Sequence, residues 1–469
     1  MIKLLLLLFL PLFAHASTIT VKTDNPEKPT IEITEESGLA LASRMLAAED
    51  YRNARVILNH LAESSNAEVR REALFMIGMS FISQNDPRWA IKFFIMVLAE
   101  DPMATRARLE LGKAYFMNRE FDLAAENFRM ALGDRDLPPE VAKQVEDMIA
   151  LARKNRNWNA HFGFGLVPDS NLNATPGDNY DCIMTIFGPM QCEKRQTGVG
   201  TRINTGFNHY LRFTDTFGLR TTVQFQGTAY EQSKFNDYIL FFATGPRFIF
   251  KGSELSVQPT ISRRWIGGEA LLTNTGLRAD YSADVAKQWF LMTGVSATKA
   301  EYDDYWLNAT YGGWSYATYV RPRYMINQRS FVGAEFGYSR DDLRTGWNSS
   351  DSFTYGLDYF IETRSKFGFA LSVAQTEMFF DAKHNYMVLP YGQSDEQFEQ
   401  CVEISSLVYE CYMRRRDTIN TFSASVISNE SNWLGIYPSL RYSYLKRDSN
   451  IPMRTYDSHR IEILGTYRF

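Results

Sequence analysis

Cysteine and histidine are scarce in this chain, with four of the former and six of the latter in 469 residues. No histidine lies at ligand spacing to a cysteine pair, so a zinc site is not expected. Charge of one sign is also missing. The formal net charge is −4 and the pI about 6.0, which suggests neither nucleic-acid binding nor a polybasic membrane anchor. No apolar run after the N-terminus reaches transmembrane-helix length, and a mean hydropathy of −0.29 excludes a bundle of membrane helices. A membrane β-barrel stays open, because its strands alternate apolar and polar and average to a soluble value. There is no G-x-S-x-G elbow, P-loop or zinc-binding helix motif, and no cofactor is implied.

What is present is unevenly spread. There are 25 Tyr, 33 Phe and 8 Trp, and nearly all the Trp and Tyr follow Trp158. Residues 1–16 read as a secretory signal, with Lys3, an apolar run over 4–13 and a small-x-small site at Ala14-His15-Ala16. Residues 17–37, rich in Thr, Pro and Glu, predict a flexible leader. Over 38–155 the apolar period becomes helical and repeats. Gly78, Phe81, Ala90 and Phe94 recur 34 residues later as Gly112, Tyr115, Ala124 and Phe128. Small residues that admit a neighbouring helix, with an aromatic filling the gap, resemble the tetratricopeptide repeat. A poorer first copy places Ala54 and Leu58 two residues out of phase, and residues 139–154 predict a capping helix. The expected product is a short solenoid that grips a peptide or partner protein.

From residue 156 to 469 the period changes to two, in about fourteen segments. Phe353, Tyr355, Leu357, Tyr359 and Ile361 face one way; Thr354, Gly356, Asp358 and Glu362 face the other. Charged and amide residues on the second parity imply a wet interior. Short polar turns at 214–216, 251–253, 286–288, 327–330, 364–366 and 429–432 alternate with longer loops, notably 169–197 and 381–414. That asymmetry predicts tight periplasmic turns and long external loops. Cys182 and Cys192 fall in one long loop, Cys401 and Cys411 in the other, so local disulfides are expected in an oxidising compartment, with crossed pairing left open. Residues 459–469 predict a closing strand, ending in Phe469 as a barrel-assembly signal. The fold predicted is an α-helical tetratricopeptide-repeat solenoid followed by a 14-stranded antiparallel transmembrane β-barrel.

Two acidic pairs, Asp303-Asp304 and Asp341-Asp342, with His384 and His459, are the candidates for catalysis, but no spacing converges them, and no enzyme activity is expected. The most specific stretch is 162–174, FGFGLVPDSNLNA. Its Gly165, Val167, Ser170, Asn171 and Asn173 fit G-x-V-x-x-S-N-x-N. A helical repeat domain followed by a fourteen-strand barrel opening with this motif resembles the Slam family, the surface lipoprotein assembly modulators. The resemblance implies an outer-membrane protein with its repeats in the periplasm and its long loops outside. It implies transport of surface lipoproteins, or of related secreted haem- or metal-scavenging proteins, to the cell surface. Client, periplasmic chaperones, the barrel-assembly machinery and outer-membrane lipid are the partners expected; nucleic acid is not. The alternatives are an exopolysaccharide exporter and a general porin.

Overall fold

The computed structural model describes residues 18–21, 31–176, 181–185, 188–191, 193–364, 367–388, 400–405, 408–428, 435–451 and 454–468. The expected signal segment and Phe469 lie outside them. Compactness divides the chain at Glu100 and Asp101, inside the repeats rather than at the change of period.

The first unit holds helices α1 (Glu35–Ala47), α2 (Tyr51–Leu61), α3 (Ala67–Ser83) and α4 (Pro87–Glu100). Side chains of Thr34, Asp50 and Asn66 cap the first three by accepting an N-terminal N–H. In the stretch read as a flexible leader, Thr18–Val21 pairs antiparallel with Ile31–Thr34, and α1 starts three residues before the expected Gly38. The second unit opens with α5 (Thr105–Met117), α6 (Phe121–Leu132) and α7 (Pro139–Asn155).

The repeated residues do one repeated job. A Cβ on Gly78 would lie 2.6 Å from the Phe94 ring, and one on Gly112 would lie 2.6 Å from the Phe128 ring. Each glycine therefore makes room for an aromatic on the paired helix. Ala90, Phe94, Ala124 and Phe128 are all buried, as is Tyr115. The turns repeat as well, with Glu49, Asn85 and Arg119 at positive φ and a 2.9 Å backbone bond closing each turn onto Met45, Phe81 and Tyr115. By this alignment Ala42 and Leu58 stand where the later copies have glycine and phenylalanine. A larger small residue matched to a smaller large one keeps the volume, which is why the first copy looks degenerate.

Fourteen strands follow: β1 (Trp158–Asp169), β2 (Gly198–Arg212), β3 (Phe217–Tyr230), β4 (Asp237–Phe250), β5 (Ser253–Ile266), β6 (Glu269–Ala286) and β7 (Trp289–Tyr302). They continue as β8 (Gly313–Asn327), β9 (Ser330–Leu343), β10 (Ser350–Glu362), β11 (Phe367–Val388), β12 (Val408–Ser428), β13 (Ile436–Ser449) and β14 (Tyr456–Arg468). Each pairs antiparallel with the next, and β14 pairs with β1, so the sheet closes without an edge. Outward rows such as Phe162, Phe164 and Leu166, or Phe369, Leu371 and Val373, are apolar and exposed. Inward rows carry ion pairs, including Arg321 with Glu335, Arg278 with Asp280 and Arg447 with Asp417. Ile461, Ile463 and Tyr467 of the closing strand face out, as their parity predicts.

The loop alternation is looser than expected. At the long-loop end β5 and β6 are joined by Gly267 and Gly268 alone, both at positive φ, the geometry of a two-residue hairpin that glycine adopts without strain. At the same end β11 and β12 extend as a ribbon, onto which Gln400–Ser405 adds.

Candidate functional site

Two features converge on the barrel's openings: the junction of β1 with β14, and the three helices at its short-turn end.

At the junction the ladder has a defect. Ser170 N–H donates to the His459 carbonyl at 3.0 Å, so even-numbered residues of β1 direct their backbone groups at β14. Pro168 is one of these and has no N–H to give to Ile461. Register pairing accordingly runs from Arg468 with His161 to Ile463 with Leu166, skips Val167 and Pro168, and resumes at Arg460 with Asp169. On the other side β1 pairs with β2 without interruption through Pro168 and Val199.

Side chains replace what the backbone loses. Asp169, 5% exposed, accepts from Arg460 at 2.7 and 3.0 Å, from Ser458 Oγ at 2.8 Å and from Asn171 N–H at 2.9 Å. Ser170 Oγ accepts from His459 N–H at 2.8 Å. Asn171, also buried, donates to the Asp457 carbonyl at 2.7 Å and to the Thr175 carbonyl at 2.8 Å. Asn173 ties the loop's return, donating to the Lys194 carbonyl at 2.9 Å and accepting from Gln196 N–H at 3.0 Å. The polar residues of the motif are thus a staple from the end of β1 onto β14 and the loop above it.

Val167 is fully buried within the barrel. Gly165 sits where a Cβ would come within 1.9 Å of the Ile463 carbonyl oxygen, so only glycine lets β14 approach there. Deeper in, Glu462 pairs with Arg202 of β2. A lumen cavity of about 500 Å³ lies against this junction and is also lined by Ser372, Ser423 and Ser443, which continue the Arg460 row across β13, β12 and β11. The sequence pattern did not disclose Arg460, Ser458 and Asp457 as partners, because nothing local relates residues nearly 290 positions apart.

At the opposite end α5, α6 and α7 are tied to the short turns. Arg108, fully buried, pairs with Glu362 at 2.5 Å and donates to the Pro102 carbonyl at 3.1 Å. Arg129 of α6 and Arg153 of α7 share the Asp284 carboxylate, Arg129 Nε lying at 2.6 Å. Burial lowers the Arg153 pKa and neighbouring Arg129 adds to this, with Asp284 offsetting only part. Arg247 donates to the Arg153 carbonyl near the C-terminus of α7 at 2.7 Å, a cation at the negative end of the helix. Gln288 reaches the Gly133 carbonyl at 3.2 Å, Gln328 reaches Thr105 at 3.0 Å, and Lys154 pairs with Asp215 at 2.8 Å. Three turns, β4 and the end of β10 are thereby held by helices that carry one complete repeat and its capping helix.

The acidic pairs considered for catalysis are occupied separately. Asp303 binds Arg263, Asp304 caps the short helix Tyr305–Tyr311, and Asp341 accepts from Ser315 at 2.6 Å. His459 lies 2.8 Å from the Tyr442 hydroxyl, on another part of the barrel. The side chains of His384 and of all four cysteines lie outside the described residues, although backbone register sets Cys401 opposite Cys411. No group of three His, Cys, Asp or Glu that could hold a metal occurs among the described residues.

A closed fourteen-strand barrel with an apolar outer band and a charged interior defines an outer-membrane β-barrel protein. The sequence signature of the surface lipoprotein assembly modifier family matches residues 158–469, the whole barrel, and the chain belongs to that family. A surface lipoprotein assembly modifier of Pasteurella multocida (strain Pm70) is 21% identical over 404 residues, covering 81% of this chain and 73% of that protein. Surface lipoprotein assembly modifier 2 of Haemophilus influenzae (strain Rd) is 23% identical over 401 residues, with the same two coverages. Among solved structures, a bacterial polysaccharide outer membrane secretin aligns with 66% of this chain and 98% of its own, at 10% identity and a TM-score of 0.34. The protein takes part in surface lipoprotein assembly at the outer membrane.

Proposed function

We propose that the protein is a translocon: it receives lipoproteins, or related secreted haem- or metal-scavenging proteins, in the periplasm and passes them to the cell surface. The short-turn end is the periplasmic end, with α5, α6 and α7 at it and the long loops outside. Clients, handed over by periplasmic chaperones, dock on the helices; Phe469 is read by the barrel-assembly machinery that inserts the protein.

One observation carries this reading. The mouth of the barrel is tied to α5, α6 and α7 through Arg108, Arg129 and Arg153. A general porin needs its mouth open, whereas a helical module fixed there is where a delivered client would arrive. Size then favours a route at the wall. A 100-residue folded domain has a radius of gyration of about 13 Å, and lumen width scales with strand number, so fourteen closed strands leave little room for one. The β1–β14 junction, where Pro168 deletes a ladder bond, is the part of the wall with least backbone pairing to give up.

Reconstitution tests it. Proteoliposomes containing the full chain are given a purified client lipoprotein with a periplasmic chaperone, and client reaching the far side is scored by protease protection. Transfer above that of liposomes holding an unrelated porin is the expected result. Equal transfer overturns the reading, and transfer of a polysaccharide instead would favour the exporter.

A further inference from the structure

Between α7 and the turns joining β4 to β5 and β6 to β7 lies a cavity of about 320 Å³. Its inner lining is apolar, with Leu132, Ile149, Ala150 and Met325. Its outer lip is formed by Val285 and Trp289, both from outward-facing rows and 57% and 46% exposed. The cavity is therefore continuous with the lipid-facing surface. Trp289 packs on Tyr324 at 4.9 Å between ring centres, and exposed Phe250 stands at the same end of β4. Such aromatics form the girdle at the level of lipid headgroups.

The charged groups at the lip are of both signs, Lys251 and Lys287 against Glu146 and Asp147. They do little for one another. Among the described residues, Lys251 is 84% exposed and stands 3.9 Å from Asp147, and Lys287 makes a 3.4 Å bond to the Leu137 carbonyl. The volume is about ten times that of a water molecule in the liquid. That admits a headgroup with the beginning of an acyl chain, not a whole lipid.

We propose that this cavity binds an amine-bearing zwitterionic phospholipid of the periplasmic leaflet. Its phosphate meets Lys251 and Lys287, its ammonium donates to Glu146 and Asp147, and its first methylenes lie against Ile149, Ala150 and Val285. The assignment needs only the outer-membrane location with the short-turn end in the periplasm, not the translocon reading. It also has a consequence for the capped mouth, because Arg129 and Asp284 form part of the same cavity wall. A bound lipid would support the pair that holds α6 and α7 on the rim.

The experiment is native mass spectrometry of the full-length protein released from nanodiscs of equal phosphatidylethanolamine, phosphatidylcholine and phosphatidylglycerol. The expected result is one retained phosphatidylethanolamine, favoured over phosphatidylcholine by about tenfold, the scale of one hydrogen bond to a charged group that a quaternary ammonium cannot make. Ala150→Trp, which fills the cavity, should abolish the retention. The double variant Lys251→Glu, Lys287→Glu leaves the apolar lining intact and should weaken it by a similar factor. Equal retention of phosphatidylcholine, preference for phosphatidylglycerol, or retention unchanged in both variants would each overturn the proposal.

Discussion

Arg460 of β14 grips Asp169 at the end of β1 through two hydrogen bonds, 2.7 and 3.0 Å, to one carboxylate oxygen. One residue before that carboxylate stands Pro168, whose missing N–H interrupts the ladder. A junction weak in its backbone is therefore held by side chains at its outer end. Asp169→Ala should lower the temperature at which the folded, fast-migrating band disappears in heat-modifiability gels. Arg460 keeps access to water, so the cost is about 1–2 kcal/mol rather than that of a fully buried pair. An unchanged midpoint would mean that the staple contributes nothing.

The same register gives a way to lock the wall. Phe162 lies directly opposite Tyr467 on the lipid face, and opposed residues of an antiparallel pair set their Cβ atoms about 4.5–5.5 Å apart, at the edge of disulfide reach. Phe162→Cys with Tyr467→Cys should fold normally and form the bridge. Surface display of a client lipoprotein should stop when the bridge forms and return on reduction. Undiminished display with a quantitatively formed bridge would rule out passage between β1 and β14.

Strand parity was legible in the sequence because a barrel wall faces lipid on one side and water on the other, so each inward or outward choice is local. The repeats were legible for a similar reason: Gly78 under Phe94 and Gly112 under Phe128 are the same steric bargain 34 residues apart. The motif residues Ser170, Asn171 and Asn173 were visible as a pattern, but their work was not. It consists of bonds to Asp457 and His459 on the far end of the chain and to Lys194 and Gln196 across a loop. Nor could periodicity reveal that α5, α6 and α7 belong with the barrel. Arg108 reads as an ordinary helical arginine until Glu362 is beside it.

Cys401 and Cys411 face each other across a strand pair in the backbone register. Directly opposed positions set Cβ atoms about 4.5–5.5 Å apart, at the edge of what a disulfide spans. Non-reducing peptide mapping of protein purified from outer membranes should return Cys401 linked to Cys411. Linkage of either to Cys182 or Cys192 would place the bridge between the two loops instead.

Asp134, in the turn after α6, links the helices to the barrel through Thr105. Burial raises its pKa, but bonds from the Thr105 hydroxyl at 2.5 Å, the Asp136 N–H at 2.9 Å and the neighbouring Gln328 amide bring the net below the ordinary carboxylate value. A carboxyl depressed in the folded state contributes stability above its unfolded value, about 3.9, which is lost as pH falls through the folded value. Protection of amides in residues 105–134, taken relative to their intrinsic exchange rates, should therefore fall from roughly pH 4 downward. Asp134→Asn should flatten that part of the profile. A profile identical in the variant would assign the acid sensitivity to other carboxylates.

Asp284 is the group on which α6 and α7 jointly depend, since Arg129 and Arg153 both bind it and Arg129 also stacks on Phe290 at 4.2 Å. Asp284→Asn keeps the size but leaves two guanidinium groups, 13% and 3% exposed, sharing a neutral partner. Removing one member of a buried ion pair costs about 3–5 kcal/mol, and the cheapest relief is for the helices to leave the rim rather than for the barrel to unfold. The variant should keep its heat-modifiable migration while amides of residues 121–155 exchange faster and single-channel conductance in planar bilayers rises. Restoring opposite charge from the other side, with Asp284→Arg combined with Arg129→Asp, should recover part of the protection. If conductance rises without faster exchange in α6 and α7, the lumen itself gates the pore and the helices are bystanders.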